Sequence, residues 1–559
     1  MSSEPSLHDV KPDAEHLEAQ GGDPLSTDFL EQLDSIEQTK TGLYSWLVTA
    51  TAALGGLLFG YDTGIIAAVL VYIGSDLGHI LSPNEKELIT SITSGGAFFG
   101  AIFAGLTADH YGRKGAIYVG CILFIVGAIL QAAAFSIAQM TVGRLVVGFG
   151  VGSAAAIVPL YIAEVSPSKY RGRMIGLDNM SITGGQLISY GIGAGFAYVI
   201  GGWRYMVGGG AIPAIILAIL LVFCPESPRQ LIYHNKPEEA AKVIRKIYPN
   251  GTDQQVADKI KHITYYVDLA KAINAGKSRW WIIKQLYVVP ANLYSLIAAC
   301  GLMAISQLAG FNALVYYSPL IFSLVGFDNP VAVGTIIAGV NFIFTFVNLL
   351  LVDRLGRRRI LLYTVQFMGL ALIVAAVAFI YIPIRHDLTL DPGTVVGWPA
   401  KLVLASVVIY VAFYSSGIGN TAWLSSELFS MEVRSMGTMM MTCTCWGSNI
   451  IIASTFLTQL QNTTPSGTYG FYAAICLLGY VAIYFCYPEV AGMTLEDIRG
   501  VFSDGFGVRK ARMIQKQMKA EQKAVVGQGT VRVRKLGSLR PPANFIVNLV
   551  RVPVEEEKK

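Results

Sequence analysis

From Tyr44 almost to Tyr487 the sequence keeps returning to apolar runs about 20 residues long, enough for an α-helix to cross the ~30 Å hydrocarbon core of a bilayer. A soluble core has no use for so many. Composition points the same way: 53% of the 559 residues are hydrophobic, 14% are charged and mean hydropathy is +0.51. A soluble domain carries about 25% charge. The fold class expected is an all-α membrane protein with about twelve spanning helices in two bundles. The first six fall at 44–74, 88–108, 116–136, 138–164, 174–200 and 203–224; the rest fall at 291–322, 331–352, 360–384, 399–430, 435–459 and 468–487. Residues 1–40 are polar and acidic, so no cleavable signal peptide is expected. Seven cysteines lie mostly inside apolar runs, without metal-ligand spacing, and read as small hydrophobes. A net charge of +5 is small for this length, and no aromatic-basic stripe suggests nucleic-acid binding. With no phosphate loop, metal cluster or nucleophile–base set, neither an enzyme nor a cofactor is expected.

The loops sort by basic charge. Arg113 and Lys114, then Lys169, Arg171 and Arg173, then Arg354 and Arg357 to Arg359, then Arg434 fall on one side. "GSDLGHILSPNEKE", "VGFDNP", "RHDLTLDPG" and "QNTTPSG" fall on the other, with few Lys or Arg. The positive-inside rule places the basic side, and with an even helix count both termini, in the cytoplasm. The expected organisation is an N-terminal tail at 1–43, a six-helix bundle at 44–228, a cytoplasmic helical linker at 229–290, a second bundle at 291–487 and a C-terminal tail at 488–559. The tail holds one basic helix candidate, "VRKARMIQKQMKAEQK".

The chain also repeats itself. "GLTADHYGRK" after the second helix matches "LLLVDRLGRRR" after the eighth, and "AEVSPSKYRGR" after the fourth matches "SELFSMEVRSMG" after the tenth. Two halves with matching loops mark a carrier built from parallel repeats, with its site between them at mid-membrane. At those corners Asp109 with Arg113, and Asp353 with Arg357, set an acid and a base four residues apart. Glu164 precedes Arg171 and Arg173, and Glu427 precedes Arg434. Single exposed pairs contribute only about 0–1 kcal/mol. Several bridging the halves could instead latch the basic side shut in one state and open in another; ordinary topology-setting charge is the alternative.

The stretches "GYDTG", "ADHYGRK", "GRLVVGFGVG", "PLYIAEVSPSKYRGR", "PESPR", "DRLGRRR" and "PEVAGMTLEDI" run in order from about Leu54 to Ile498. They resemble the signature series of the sugar-porter branch of the major facilitator superfamily. "FGYDTGIIAAVL", "TGGQLISYGIGAGF" and "IIASTFLTQLQNTTPSGT" are similar to fungal proton-coupled myo-inositol transporters. That resemblance implies a polyol substrate, proton symport and the plasma membrane, with the bilayer and protons as the other partners; a monomer is expected. Asp62 and Arg144 lie in apolar runs, where ionisable groups are costly unless paired or lining a pathway. In the resembling symporters the matching Asp and Arg load and release the proton; a permanent structural ion pair is the other reading.

A polyol needs side-chain amides, which both donate and accept. Asn179 and Gln186 share a face of the fifth helix, Gln307 and Asn312 flank Gly310, and Asn341 and Asn449 are further buried amides. Trp423 and Trp446 offer flat apolar faces to ring C–H groups. By resemblance these positions match substrate contacts; singly, each could be helix–helix glue. Departures from the family pattern are Ser306 in place of a glutamine, Asn179 where glutamine is common, "PEVAG" for "PETKG", and "SSGIGNTAWL", which lacks the usual prolines and leaves the tenth-helix break to glycine. The reading is a proton-coupled myo-inositol symporter; the alternatives are a hexose or other polyol symporter, a facilitator, or a transporter-like nutrient receptor.

Overall fold

The computed structural model describes residues 35–39, 41–168, 170–274, 278–327, 329–385, 390, 397–430, 433–490, 493, 498, 500–503 and 505–527. The expected tails at 1–34 and 528–559 lie outside these. Five helices of the first half are Leu43–Tyr72, Pro83–Tyr111, Arg113–Ala132, Ile137–Val165 and Arg171–Gly195; the sixth is broken into Gly202–Gly208 and Ala211–Leu221. In the second half the seventh helix is also broken, into Pro290–Leu308 and Phe311–Leu324. Pro330–Leu355 and Arg357–Ile380 follow, then the tenth helix Trp398–Ser416, which continues as Ile418–Thr421 and a 3-10 segment Ala422–Leu428. The eleventh and twelfth helices share the run Arg434–Cys486, which folds back at Thr464, φ 67°, just before Pro465. The Tyr472 hydroxyl accordingly reaches back to donate to Gln459 Oε1 at 3.2 Å.

Among the described residues, ten segments are long and apolar enough to cross a membrane, the last of them being this folded pair. The fifth helix is not among the ten, because Asp178, Asn179, Ser181, Thr183, Gln186 and Ser189 dilute its hydropathy. The second helix begins earlier than hydropathy alone indicates. Ser82 accepts from the Glu85 amide while the Glu85 carboxylate accepts from the Ser82 amide at 2.8 Å, so a capping box starts the helix at Pro83.

Close backbone approach fixes the seam between the first and fifth helices. Gly56, Gly60 and Gly64 form a four-residue stripe on the first helix. A Cβ at Gly60 would lie 1.8 Å from the Ile182 carbonyl oxygen and one at Gly64 2.1 Å from Ser189 Oγ. Gly185 returns the fit, with its Cβ position 2.3 Å from the Leu57 carbonyl oxygen. Small residues are what let membrane helices pack this tightly.

The hydrophobic cores show how the halves meet. Away from the basic loops one continuous core joins first-half residues Ile65, Ile66, Ile89 and Trp203 to second-half residues Leu314, Tyr317 and Val331. On the basic side the first half keeps its own core around Val48, Phe124, Ile157 and Leu217, joined from the second half by Trp446 against Phe59. Polar contacts seal the same non-basic face. Thr458 donates its amide and its hydroxyl to Glu87 at 2.8 and 2.7 Å, and Tyr190 donates to the Val315 carbonyl beside Ser318.

The linker folds as Pro228–Tyr233, Pro237–Ile247, Asp253–Asn274 and Arg279–Val288, with a small core of Leu231, Val243, Ile244 and Val256 that also takes in Ile36. The short 3-10 turn Ser35–Gln38 is pinned there through Glu37. The Glu37 carboxylate accepts from the Ser168 amide at 2.9 Å, the Ser168 hydroxyl at 3.1 Å and Lys259 Nζ at 2.8 Å. Burial alone would raise its pKa, but the Lys259 charge and the hydrogen bonds from Lys259, Tyr248 and Ser168 outweigh it and hold the carboxyl below its ordinary 4.5. Beyond the twelfth helix, Val508–Gly527 is the helix expected from the basic stretch, with Ala511 buried against the second half.

Two outcomes follow. Glu37→Ala should lower hydrogen-exchange protection of the Ser168 amide at neutral pH by tenfold or more, as loss of about 1.5–3 kcal/mol of charged hydrogen bonding implies. A depressed folded-state pKa makes this tie full above the ordinary carboxylate range and lost on acidification through the lowered value, so the variant's effect should shrink there. Gly60→Ala forces Cβ onto backbone and should cost about 1–3 kcal/mol. Gly95→Ala meets nothing within 4 Å and should leave thermal stability in detergent unchanged.

Candidate functional site

Asp62 and Arg144 come together. Arg144 Nη1 donates to Asp62 Oδ1 at 2.6 Å, and Arg144 Nε donates to the Ile89 carbonyl at 3.3 Å. The Arg144 side chain is 1% exposed and that of Asp62 8%. The first helix supplies the acid, the fourth the guanidinium and the second the carbonyl. A buried pair of this kind costs several kcal/mol per ion to desolvate, recovered only with close geometry and further hydrogen bonds, and breaking one partner leaves an uncompensated charge.

The predicted amides form two groups and a bridge. Asn341 Nδ2 on the eighth helix donates to Gln186 Oε1 on the fifth at 2.7 Å, while Ser415 Oγ on the tenth donates to Asn341 Oδ1 at 2.7 Å. This chain crosses from one half to the other. In the seventh helix Asn312 Nδ2 donates to Gln307 Oε1 at 2.6 Å across the break, where Gly310 takes φ 91°. Asn449 Nδ2 donates to the Tyr316 hydroxyl at 3.2 Å. Asn449 Oδ1 and, one turn earlier, Trp446 Nε1 are buried without a hydrogen-bond partner among the described residues. An acceptor and a donor are thus held unsatisfied side by side, at about 1–3 kcal/mol each. Asn179 is half-buried on the fifth helix, and Trp423 is half-buried in the 3-10 segment, packed against the second-half core.

The tenth-helix break rests on more than glycine. Gly417 is required because a Cβ would sit 1.9 Å from Thr364 Oγ1. The carbonyls freed around it are taken by two amides the sequence reading passed over. Asn420 Nδ2 donates to Ser415 O and Asn348 Nδ2 to Ser416 O, both at 2.6 Å. Ser306, the departure from glutamine, sits 3.3 Å from the Tyr414 hydroxyl, and the Tyr414 ring stacks on Phe311 at 3.9 Å. A polar residue three positions past the helix-breaking Gly417 was the available signal for Asn420; nothing local marks Asn348.

The basic side carries acid–base pairs that the sequence spacing did not suggest. Arg113 grips Glu164, with Nε and Nη2 donating to the two carboxylate oxygens at 3.2 Å each, and Nη1 donates to the Ala108 carbonyl at 2.9 Å. Arg357 reaches Glu427 at 3.4 Å. Arg434 folds onto the Phe429 carbonyl, while Arg171 and Arg173 are exposed at the start of the fifth helix. The side chains of Asp109 and Asp353 lie outside the described residues. Both described pairs are internal to one half, and the polar ties between halves at Glu87–Thr458 and Tyr190–Val315 lie on the other face. One further carboxylate completes each corner. Glu226 of "PESPR" accepts from the Arg113 amide at 3.1 Å, and Glu489 of "PEVAG" accepts from the Arg358 amide at 3.0 Å. Each lies against a left-handed glycine, Gly112 at φ 85° and Gly356 at φ 90°, where a side chain would collide with the carboxylate. Lys114 donates to the Cys224 carbonyl and Arg358 to the Tyr487 carbonyl, so the internal repeat extends to three-dimensional contacts.

A family model for sugar (and other) transporters matches residues 48–502. Myo-inositol transporter 1 of Cryptococcus neoformans is 43% identical over 485 residues, covering 87% of this chain and 86% of that protein. Myo-inositol transporter 1 of Saccharomyces cerevisiae is 40% identical over 477 residues, covering 85% and 82%. Among solved structures, the proton:xylose symporter XylE bound to 6-bromo-6-deoxy-D-glucose aligns with a TM-score of 0.68 at 23% identity, over 82% of this chain and 99% of that one. The inward open conformation of XylE from E. coli aligns at 0.67 and 24% identity, over 82% and 99%. Their fold is the same two-lobed helical one. A match spanning most of the length, on a fold whose halves meet around facing amides and a buried acid–guanidinium pair, makes this chain a member of the sugar transporter family.

Proposed function

We propose that the protein imports myo-inositol together with a proton, by alternating access, across the plasma membrane, with the basic side and both termini in the cytoplasm. The relatives named for myo-inositol supply the substrate, and the amide-rich interface suits it chemically. A ring of adjacent hydroxyls both donates and accepts at every position, as Gln186, Gln307, Asn312, Asn341 and Asn449 do. Asn179 and Trp423 are assigned to the same site. The unsatisfied Trp446 Nε1 and Asn449 Oδ1 offer a donor and an acceptor one turn apart to neighbouring hydroxyls.

The observation that carries proton coupling is the Asp62–Arg144 contact at 2.6 Å. While paired, Asp62 remains a carboxylate; when the guanidinium is drawn away the carboxylate stands alone in a low-dielectric site and takes a proton. The fused core and the Glu87–Thr458 and Tyr190–Val315 ties close the non-basic face, as in an inward-facing carrier. The paired acid and the closed outer face fit the step after release of both cargoes. On the basic side, Arg113–Glu164 and Arg357–Glu427 stiffen each lobe's corner and are the gating charges, joined by Asp109, Asp353, Arg171, Arg173 and Arg434 when the lobes approach.

Labelled myo-inositol uptake in cells lacking their own carrier, with and without a protonophore, tests the proposal. Accumulation that collapses with the protonophore supports it; uptake that ignores the protonophore identifies a facilitator, and binding without uptake a receptor. Asp62→Asn should abolish uphill accumulation while leaving downhill exchange measurable. Asn449→Ala should raise the KM for inositol about tenfold or more, the loss of about 1.5–3 kcal/mol of hydrogen bonding in a dry site. Competition by a panel of hexoses and polyols then ranks the substrates.

A further inference from the structure

The fifth helix carries a second carboxylate that the coupling pair does not use. Asp178 is 2% exposed, and its Oδ1 has no hydrogen-bond partner among the described residues. It lies in the seam between the first and fifth helices, where a Cβ at Gly56 would be 2.4 Å from Oδ1. Gly56 is six residues before Asp62 on the same helix, about 9 Å along its axis toward the basic side.

Among the described residues, the groups around it offer no counter-charge. On the first helix, Asp62 is engaged by Arg144 and the Tyr61 hydroxyl donates to the Met206 carbonyl. On the fourth, Arg144 faces Asp62, Tyr161 donates to the Pro225 carbonyl and Glu164 holds Arg113. On the fifth helix itself Arg171 and Arg173 point to solvent and Tyr190 is bonded to Val315; Arg354 is exposed at the end of the eighth. In the sixth, Arg204 donates to the Ala132 carbonyl and Tyr205 is exposed. An ionised carboxylate left alone between membrane helices costs several kcal/mol, so the resident form is the neutral acid.

We propose that Asp178 is a second proton-carrying group, relaying the proton from Asp62 toward the basic side. The inference rests on the proton coupling proposed above. Both helices belong to the same half and their backbones touch at Gly60 and Gly185, so the spacing of the two acids persists while the halves rock. The step balances simply. Protonated Asp62 gives its proton through intervening water to Asp178 as Asp178 gives its own to water on the basic side. One proton leaves, no bond beyond O–H is made or broken, and Asp62 is left as a carboxylate opposite Arg144.

The test uses the full chain in proteoliposomes holding a trapped pH dye, with labelled myo-inositol. Asp178→Asn should cut inositol-driven proton movement tenfold or more, in the range lost with a proton-transfer group. Exchange of inositol at equal pH on both sides should fall less than about threefold, because only the proton step is touched. Proton movement in Asp178→Asn that matches the parent, with the same dependence on pH at the basic side, overturns the relay. If that variant does not fold, infrared spectra decide. An Asp62→Asn chain should retain a protonated-carboxyl stretch that is lost on alkaline titration, and its absence overturns the proposal. Asp62→Asn that still couples protons defeats the reading of the pair itself. Loss of coupling in Asp62→Asn but not in Asp178→Asn defeats the relay alone.

Discussion

A guanidinium and a carboxylate, 2.6 Å apart and removed from water, set the terms for the rest of this protein. In a bilayer neither charge can remain without the other or a proton, so every rearrangement of the helices that carry them has an electrostatic consequence. Three helices meet there: the first with Asp62, the fourth with Arg144 and the second through the Ile89 carbonyl. The first helix also forms the seam with the fifth, where Gln186 begins the hydrogen-bonded chain into the second half. A displacement of the fifth helix is therefore transmitted to the acid through packed backbone.

Rigidity and pliancy are divided between the elements by glycine, used in two ways. The stripe at Gly56, Gly60 and Gly64 removes side chains so that two helices lock. Gly310 and Gly417 instead interrupt helices, and the freed polar groups are taken up by amides and hydroxyls: Asn420 and Asn348 at the tenth helix, with Tyr410 donating to the Ala309 carbonyl at the seventh. Broken helices at membrane depth persist only where such partners or a cavity satisfy the backbone. Both of these glycine breaks fall in the second half, whereas the Asp62–Arg144 pair is in the first.

The basic-side corners repeat a single construction: a left-handed glycine, an arginine on the acid ending another helix, and a glutamate from the segment after the sixth or twelfth helix capping the next amides. Its members converge from three parts of one half. That explains why similar charges recur in the two halves although the surface pairs between them are individually weak. They hold each lobe's corner as a unit, and the linker, tied to the first lobe through Glu37 and Ser168, extends that unit on the same side.

Hydropathy alone determined that the chain is a many-helix membrane protein, and loop charge gave the expected orientation, because transfer into a bilayer acts on each segment separately. The doubled loop motifs made the two-half design legible, and the isolated Asp62 and Arg144 were visible as a pair because apolar surroundings leave a lone charge few options. What the sequence left open depends on meetings between distant segments. Spacing did not suggest that Arg113 grips Glu164, where the end of the fourth helix brings that carboxylate within bidentate reach. The roles of Asn348, Asn420, Glu226 and Glu489, the closure of the non-basic face, and the unpartnered burial of Asp178 likewise emerged only when the helices were packed. Partition is decided residue by residue along the chain, whereas hydrogen-bond partners and desolvation are decided by whichever helix lies alongside.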